Sequence, residues 1–278
     1  MRKQIPKTAG QELAEKYRPP RKKGRSWYHA LFAGCLAVFL LSGGLLLHSR
    51  LRSGWEREAH TALAQQVHDV ERQIIRDGGG AMVTEDGVLP QYQALWEQNQ
   101  DLAGWIAIED TVIDYPVMHT ARDESYYLRR AFDGSDSVSG TPFLAADCFD
   151  GCGNYVVYGH NMKNGSMFAA LISYGDQAFW EQHPRIRFDT LTETGTYEVL
   201  AAFYTDVNAD GTGETFPYYA YTDLRDEDTF EEYLDLVRSA ALYETGAAAE
   251  PGDQLLTLST CSYHTSDGRF VVVARRMD

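Results

Sequence analysis

The spacing of apolar residues changes character along this chain, and each change predicts a different kind of element. From Ala30 to Leu47 the run is unbroken by charge, and as a helix it nearly spans a hydrocarbon core of ~30 Å. From Arg50 to Arg76 the apolar residues Ala59, Leu63, Val67, Val70 and Ile74 recur at helical spacing with charge between them, which predicts an amphipathic helix. Asp77-Gly78-Gly79-Gly80 ends it, and residues 77–90 read as a linker. Tyr92 to Asn99 predicts a short helix. Beyond it come short, β-branched runs: Ile113 to Met118, Thr141 to Ala145, Tyr155 to Gly159, Ile186 to Asp189, Tyr197 to Thr205, Gln254 to Thr260 and Phe270 to Ala274. Such runs, separated by Gly, Pro and Asp, predict a mainly β fold, an antiparallel barrel. Two helical insertions interrupt it. One runs from Met167 to Tyr174 and on toward Trp180. The other, Glu227 to Tyr243, places Phe230, Tyr233, Leu234, Val237 and Leu242 on one face. No internal repeat is present.

Charge gives the apolar run an orientation. Residues 1–27 carry nine Lys/Arg and two Asp/Glu, a balance of +7, whereas the whole chain is −15, leaving −22 for the remainder. Arg18, Arg21, Lys22, Lys23 and Arg25 flank the run on its N-terminal side, and Trp27 and Tyr28 suit a membrane interface. The expected organisation is a cytoplasmic basic tail (1–27), a signal-anchor helix (28–48), a stalk or packed helix with linker (49–90) and a catalytic domain outside the cytoplasm (91–278). A cleaved signal peptide is the rival reading, but the run exceeds a ~7–15-residue apolar core and no clear small-residue cleavage site follows. Beside a span, the basic tail meets anionic lipid. The acidic remainder argues against nucleic-acid binding.

The chemistry concentrates near the C-terminus. Cys261 ends one apolar run and Arg269 opens the next, so two antiparallel strands would set thiol and guanidinium side by side. Positive charge helps a thiol become a thiolate, and arginine supplies a forked donor to an oxyanion. Upstream, the strand ending at Gly159 delivers His160. A lone cysteine is more often a packing residue, and the pattern around it decides the matter here. His29, His48, His60, His68, His119 and His183 have no such setting. His264, three residues past Cys261, is the rival base. Asp267 either orients Arg269 or caps a turn. Cys35 packs within the span. Cys148 and Cys152, in Asp147-Cys148-Phe149-Asp150-Gly151-Cys152, leave three readings open: reduced thiols, a disulfide closing a small loop, or a metal site short of ligands.

Thr257-Leu258-Ser259-Thr260-Cys261 with Arg269 downstream resembles the signature of the sortase family. Tyr158-Gly159-His160-Asn161-Met162 is similar to the histidine motif of its class B members. Gly104-Trp105-Ile106 with Ile113-Asp114-Tyr115-Pro116-Val117, Tyr126-Tyr127-Leu128 and Gly165-Ser166-Met167-Phe168 add to the likeness, which covers roughly residues 91–278. The paired cysteines depart from it. The resemblance implies a closed antiparallel β-barrel of about eight strands, with N-terminal helices and a long helix before the nucleophile strand. It implies a cysteine transpeptidase with catalytic His160, Cys261 and Arg269. Leu128, Tyr221, Ser259 and Thr260 would line its peptide groove, and no cofactor or metal is expected. Its partners would be a surface-protein sorting signal of Asn-Pro-x-Thr type and a peptidoglycan-precursor amine. The alternatives are a pilin-polymerising enzyme using a lysine acceptor and a non-catalytic, membrane-tethered binding barrel.

Overall fold

The computed structural model describes residues 8–17, 25–79, 83–148, 151–206, 216–262 and 267–277. Arg18, Arg21, Lys22, Lys23, Gly80, Phe149, Asp150 and His264 lie outside them. The chain divides into two compact units, residues 1–52 and 53–278. In the first, α1 (Ala9–Lys16) is followed by the opening part of α2 (Arg25–Arg76). Leu31, Phe32, Phe39 and Leu41 are all exposed on α2, and the helix is long and apolar enough to cross a membrane.

The second unit is a barrel closed in the order β1 (Leu102–Ala107), β2 (Asp114–Met118), β3 (Phe143–Leu144), β4 (Asn154–Gly159), β7 (Leu255–Cys261), β8 (Gly268–Arg276), β6 (Thr196–Asp206) and β5 (Arg185–Thr190). Six of its eight pairings are antiparallel. The β2–β3 and β4–β7 pairings are parallel. This refines the expectation of antiparallel neighbours. Parallel neighbours need a long crossover, and the chain between β4 and β7 supplies one through β5, β6 and α5 (Glu227–Ala240). The first expected insertion divides into a 3-10 turn, Phe168–Gly175, and the short α4, Gln177–Gln182.

Two apolar clusters hold the unit together. The larger fills the barrel with Val156, Phe188, Phe203, Leu256, Leu258 and Val272 among others. The smaller joins Ala64 and Val67 of α2 to Leu89, to Tyr92 and Leu95 of α3 (Pro90–Gln98), and to Trp105 of β1. The Arg50–Arg76 periodicity therefore marks a helix packed on the domain from Ser53 onward. Polar bonds fix its register. His68 on α2 bridges Glu71 at 3.0 Å and Asp114 of β2 at 2.8 Å, and Asp114 also accepts from Trp105 Nε1 at 2.7 Å. Glu71 also pairs with Arg187 of β5. Arg187 in turn bonds the fully buried Asp189 at 2.9 Å, and Asp189 accepts from the Tyr92 hydroxyl at 2.6 Å. Glu56 accepts from the backbone amides of Val138 and Ser139, which precede β3. Buried charge is tolerated when it is paired and hydrogen-bonded in this way.

Candidate active site

Strand register builds the site. In the parallel pair, Gly159 of β4 lies opposite Thr260 of β7, so His160 leaves β4 beside Cys261. In the antiparallel pair, Cys261 lies opposite Arg269 of β8. Side chains directly opposite across an antiparallel pair share a face, with Cβ atoms ~4.5–5.5 Å apart. His160, Cys261 and Arg269 therefore stand on three adjacent strands. All three line one cavity of about 340 Å³.

The surroundings fix each group. A Cβ on Gly159 would lie 2.5 Å from the Phe168 ring, so only glycine lets the turn after β4 fold back this closely. That turn closes with Phe168 N donating to His160 O at 2.9 Å and with a bridge between Asn161 and Met167. Asn161 Nδ2 donates to the Cys261 carbonyl at 3.0 Å, and Thr260 Oγ1 donates to the Gly159 carbonyl at 2.7 Å. The Thr260 hydroxyl thus ties β7 to β4. Arg269 Nη1 donates to the Gly268 carbonyl at 3.1 Å. Its contact with Asp267 is to the backbone carbonyl, at 3.4 Å.

His160 Nε2 lies 2.8 Å from the Leu128 carbonyl. A carbonyl only accepts, so Nε2 carries the proton. Burial lowers the His160 pKa below the ordinary value, the Leu128 bond opposes that shift, and the charge of Arg129 adds to it. The imidazole is therefore neutral near pH 7, with Nδ1 as its proton-accepting nitrogen. Four other described histidines have other work. His60 packs edge-on against Tyr115, His68 holds the α2 clamp, His119 bonds the Ala146 carbonyl and His183 stacks on Phe179. His29 is exposed on α2.

Of the expected groove residues, Leu128, Ser259 and Thr260 line the cavity. Tyr221 is not among the lining residues. Its hydroxyl bonds Glu232 at 3.1 Å and its ring packs on Tyr233. The wall is formed instead by Tyr218 and Tyr219, with Glu124, Ser125, Phe143 and Tyr158. Tyr218 shares a 2.5 Å hydrogen bond with Ser259. Burial holds its phenol above the usual range, the Ser259 bond opposes this, and Arg269 and Cys261 act on it with opposite signs. Tyr158 was within reach of the sequence: it stands two residues before His160, and a period of two puts both on one face. The Tyr218 and Tyr219 wall lies next to the expected Tyr221, and a 3-10 turn, Tyr218–Ala220, brings these two residues rather than Tyr221 to the cavity. No α5 residue lines the cavity. Tyr233 of α5 bonds Thr257 at 2.7 Å, further back along β7.

The sortase domain model matches residues 106–277. This chain belongs to the sortase family. Sortase B of Listeria monocytogenes is 30% identical over 236 residues, covering 80% of this chain and 89% of the relative. A Staphylococcus aureus sortase B–substrate complex shares the fold, with a TM-score of 0.69 at 24% identity over 82% of this chain and 99% of that one. A sortase B complexed with triglycine gives a TM-score of 0.68 at 26% identity over 81% and 99%. The likeness is to class B, and the protein is a class B-like cysteine transpeptidase.

Proposed function

We propose that this sortase cleaves a C-terminal sorting signal of Asn-Pro-x-Thr type and joins the shortened protein to a cell-wall precursor amine. The observation that carries the reading is the cavity lined by His160, Cys261 and Arg269 on adjacent strands. Support for the partners comes from relatives bound to a substrate and to triglycine, a peptide with a free amine. The Cys261 proton passes to His160 Nδ1, and the thiolate attacks the threonyl carbonyl. Arg269 donates to the oxyanion of the tetrahedral intermediate. The His160 imidazolium then protonates the leaving amine, which leaves a thioester on Cys261. An acceptor amine attacks the thioester, His160 takes the amine proton, and the thiol is restored. Leu128, Ser259, Tyr218 and Tyr219 form the walls that orient the peptide.

The same proposal places the chain in the cell membrane through residues 28–48, with residues 1–27 in the cytoplasm and the barrel outside. Its support is the apolar helix with the heavier basic flank on its N-terminal side, Arg18, Arg21, Lys22, Lys23 and Arg25 against Arg50 and Arg52 just after it. The test is mass spectrometry of products from a panel of sorting peptides offered several amines. The expected product joins an Asn-Pro-x-Thr peptide at its threonine to a precursor-type amine. Exclusive transfer to a pilin lysine would overturn the acceptor assignment.

A further inference from the structure

The mechanism leaves one pair of nucleophiles unused. Cys148 follows β3 and Cys152 precedes β4. Their exposures are 3% and 0%, and neither is in a disulfide. The two Sγ atoms converge on one acceptor, the Asn154 carbonyl, at 3.7 Å and 3.3 Å. The Val156 amide donates to Cys148 Sγ at 3.4 Å. Cys152 also hydrogen-bonds the Cys148 thiol, and this contact, with burial, holds that thiol far above the ordinary range. Gly151 and Gly153 flank Cys152 with φ of 77° and 93°, backbone that doubles the chain back and that side-chain-bearing residues rarely adopt. The surroundings are anchored. Leu224 N donates to the Cys152 carbonyl at 2.7 Å, Gly153 bridges Asp223, and Thr222 Oγ1 donates to Asp147 at 2.8 Å. Among the described residues no group of side chains completes a metal site.

Two thiols that share one acceptor and contact each other are placed to join, since a disulfide needs its two cysteines close in space. We propose that Cys148 and Cys152 are the disulfide-forming site of this protein and close to an intrachain bond once the barrel is outside the cytoplasm, while Cys261 stays a thiol. The location rests on the topology proposed above; the pairing does not. One thiolate of the pair attacks an external disulfide, either a small molecule or the active-site disulfide of an exported oxidoreductase. This forms a mixed disulfide and expels one thiolate. The second cysteine attacks the protein sulfur of that bond and expels the other thiolate. The two protein thiols lose two protons and two electrons, and the external disulfide becomes two thiols. Burial and the raised Cys148 pKa make this slow in the closed fold, so exchange occurs when the turn opens locally. The same burial shields the finished bond from reductants. Cys261 has no thiol beside it to complete the second step, so a mixed disulfide there is reversed by any external thiol. The new bond ties the end of β3 to the start of β4, the strand that delivers His160.

The test uses the full chain in detergent with Cys261→Ala, which leaves Cys35 as the other thiol. Membranes from an exporting host are acid-quenched, denatured and alkylated, and the peptides are mapped by mass. A second sample is purified reduced. It is then incubated with oxidised glutathione in urea below the unfolding midpoint before the same treatment. In both samples the expected result is a Cys148–Cys152 disulfide-linked peptide, with Cys35 alkylated. A Cys148→Ser variant should instead retain glutathione on Cys152. Alkylation of both cysteines in the glutathione arm, or stable glutathione adducts on the unsubstituted pair, would overturn the site. A pair oxidised in the glutathione arm but alkylated in host membranes would overturn its formation outside the cytoplasm. Peptide transfer by the parent enzyme, assayed separately, reports on the proposed reaction without reference to these thiols.

Discussion

At the scale of single residues, the site makes demands that substitution separates. Cys261→Ala removes the proposed nucleophile and should abolish both cleavage and transfer, with an unchanged circular dichroism spectrum. Arg269→Ala should cost about 2.7–4 kcal/mol of transition-state stabilisation, read as a loss in kcat. Arg269→Lys should recover little, because a point charge does not replace a fork. The pH profile tests His160. Its folded pKa is lowered by burial and by Arg129, so the acid limb of kcat/KM should lie below the ordinary imidazole value of 6.5. Arg129→Gln removes one of those two causes and should move the limb upward. A limb that does not move would show that the field of Arg129 does not reach the ring. Cys261, His160 and Arg269 were legible in the sequence because each sits at a strand end within a recognisable motif. Glu124 was not, and around Tyr221 only the segment was, since the folded chain decides that Tyr218 and Tyr219 face the cavity.

At the scale of elements, the turn after β4 and the clamp on α2 are the places to probe. Gly159→Ala would press a Cβ against the Phe168 ring. Overpacking of this kind costs about 1–3 kcal/mol. The variant should melt lower and lose transfer, while Cys261 still reacts with a soluble methanethiosulfonate. The α2 clamp carries a pH signature. Burial lowers the His68 pKa, but Glu71 and Asp114 outweigh it, and the net shift is upward. A raised folded pKa gives stability that is complete below 6.5 and lost as pH rises through the folded value. The melting temperature of the parent minus that of His68→Gln should therefore shrink with rising pH across that window. Taking the difference cancels His60, whose lowered pKa acts in the opposite sense. The helical period of α2 was visible in the sequence, but its docking partners were not. Asp114 and Arg187 meet it only because β2 and β5 both flank β1 in the closed ring. The parallel β4–β7 pairing was hidden for the same reason: local patterning does not encode strand order.

At the scale of the whole molecule, the compact unit begins at Ser53 rather than at the first strand. A chain starting at Ser53 should be soluble and should cleave a soluble sorting peptide. A chain starting at Gln91 should aggregate, because it uncovers the surface that Ala64 and Val67 bury against α3 and β1. Gel filtration of the two distinguishes the outcomes. Reporter fusions after Arg52 test the proposed orientation and should be active only as exported reporters. The register that aligns Gly159 with Thr260 and Cys261 with Arg269 has a further consequence. The reacting groups belong to neighbouring staves of a closed ring, whereas Glu124, Leu128, Tyr218 and Tyr219 stand on turns between staves. The Tyr218–Ala220 turn can therefore vary without altering the staves that carry Cys261 and Arg269. Exchanging the Tyr218–Ala220 turn for another of equal span should redirect the enzyme to new peptides at undiminished intrinsic thiol reactivity, which makes the barrel a chassis on which that turn is an interchangeable selector.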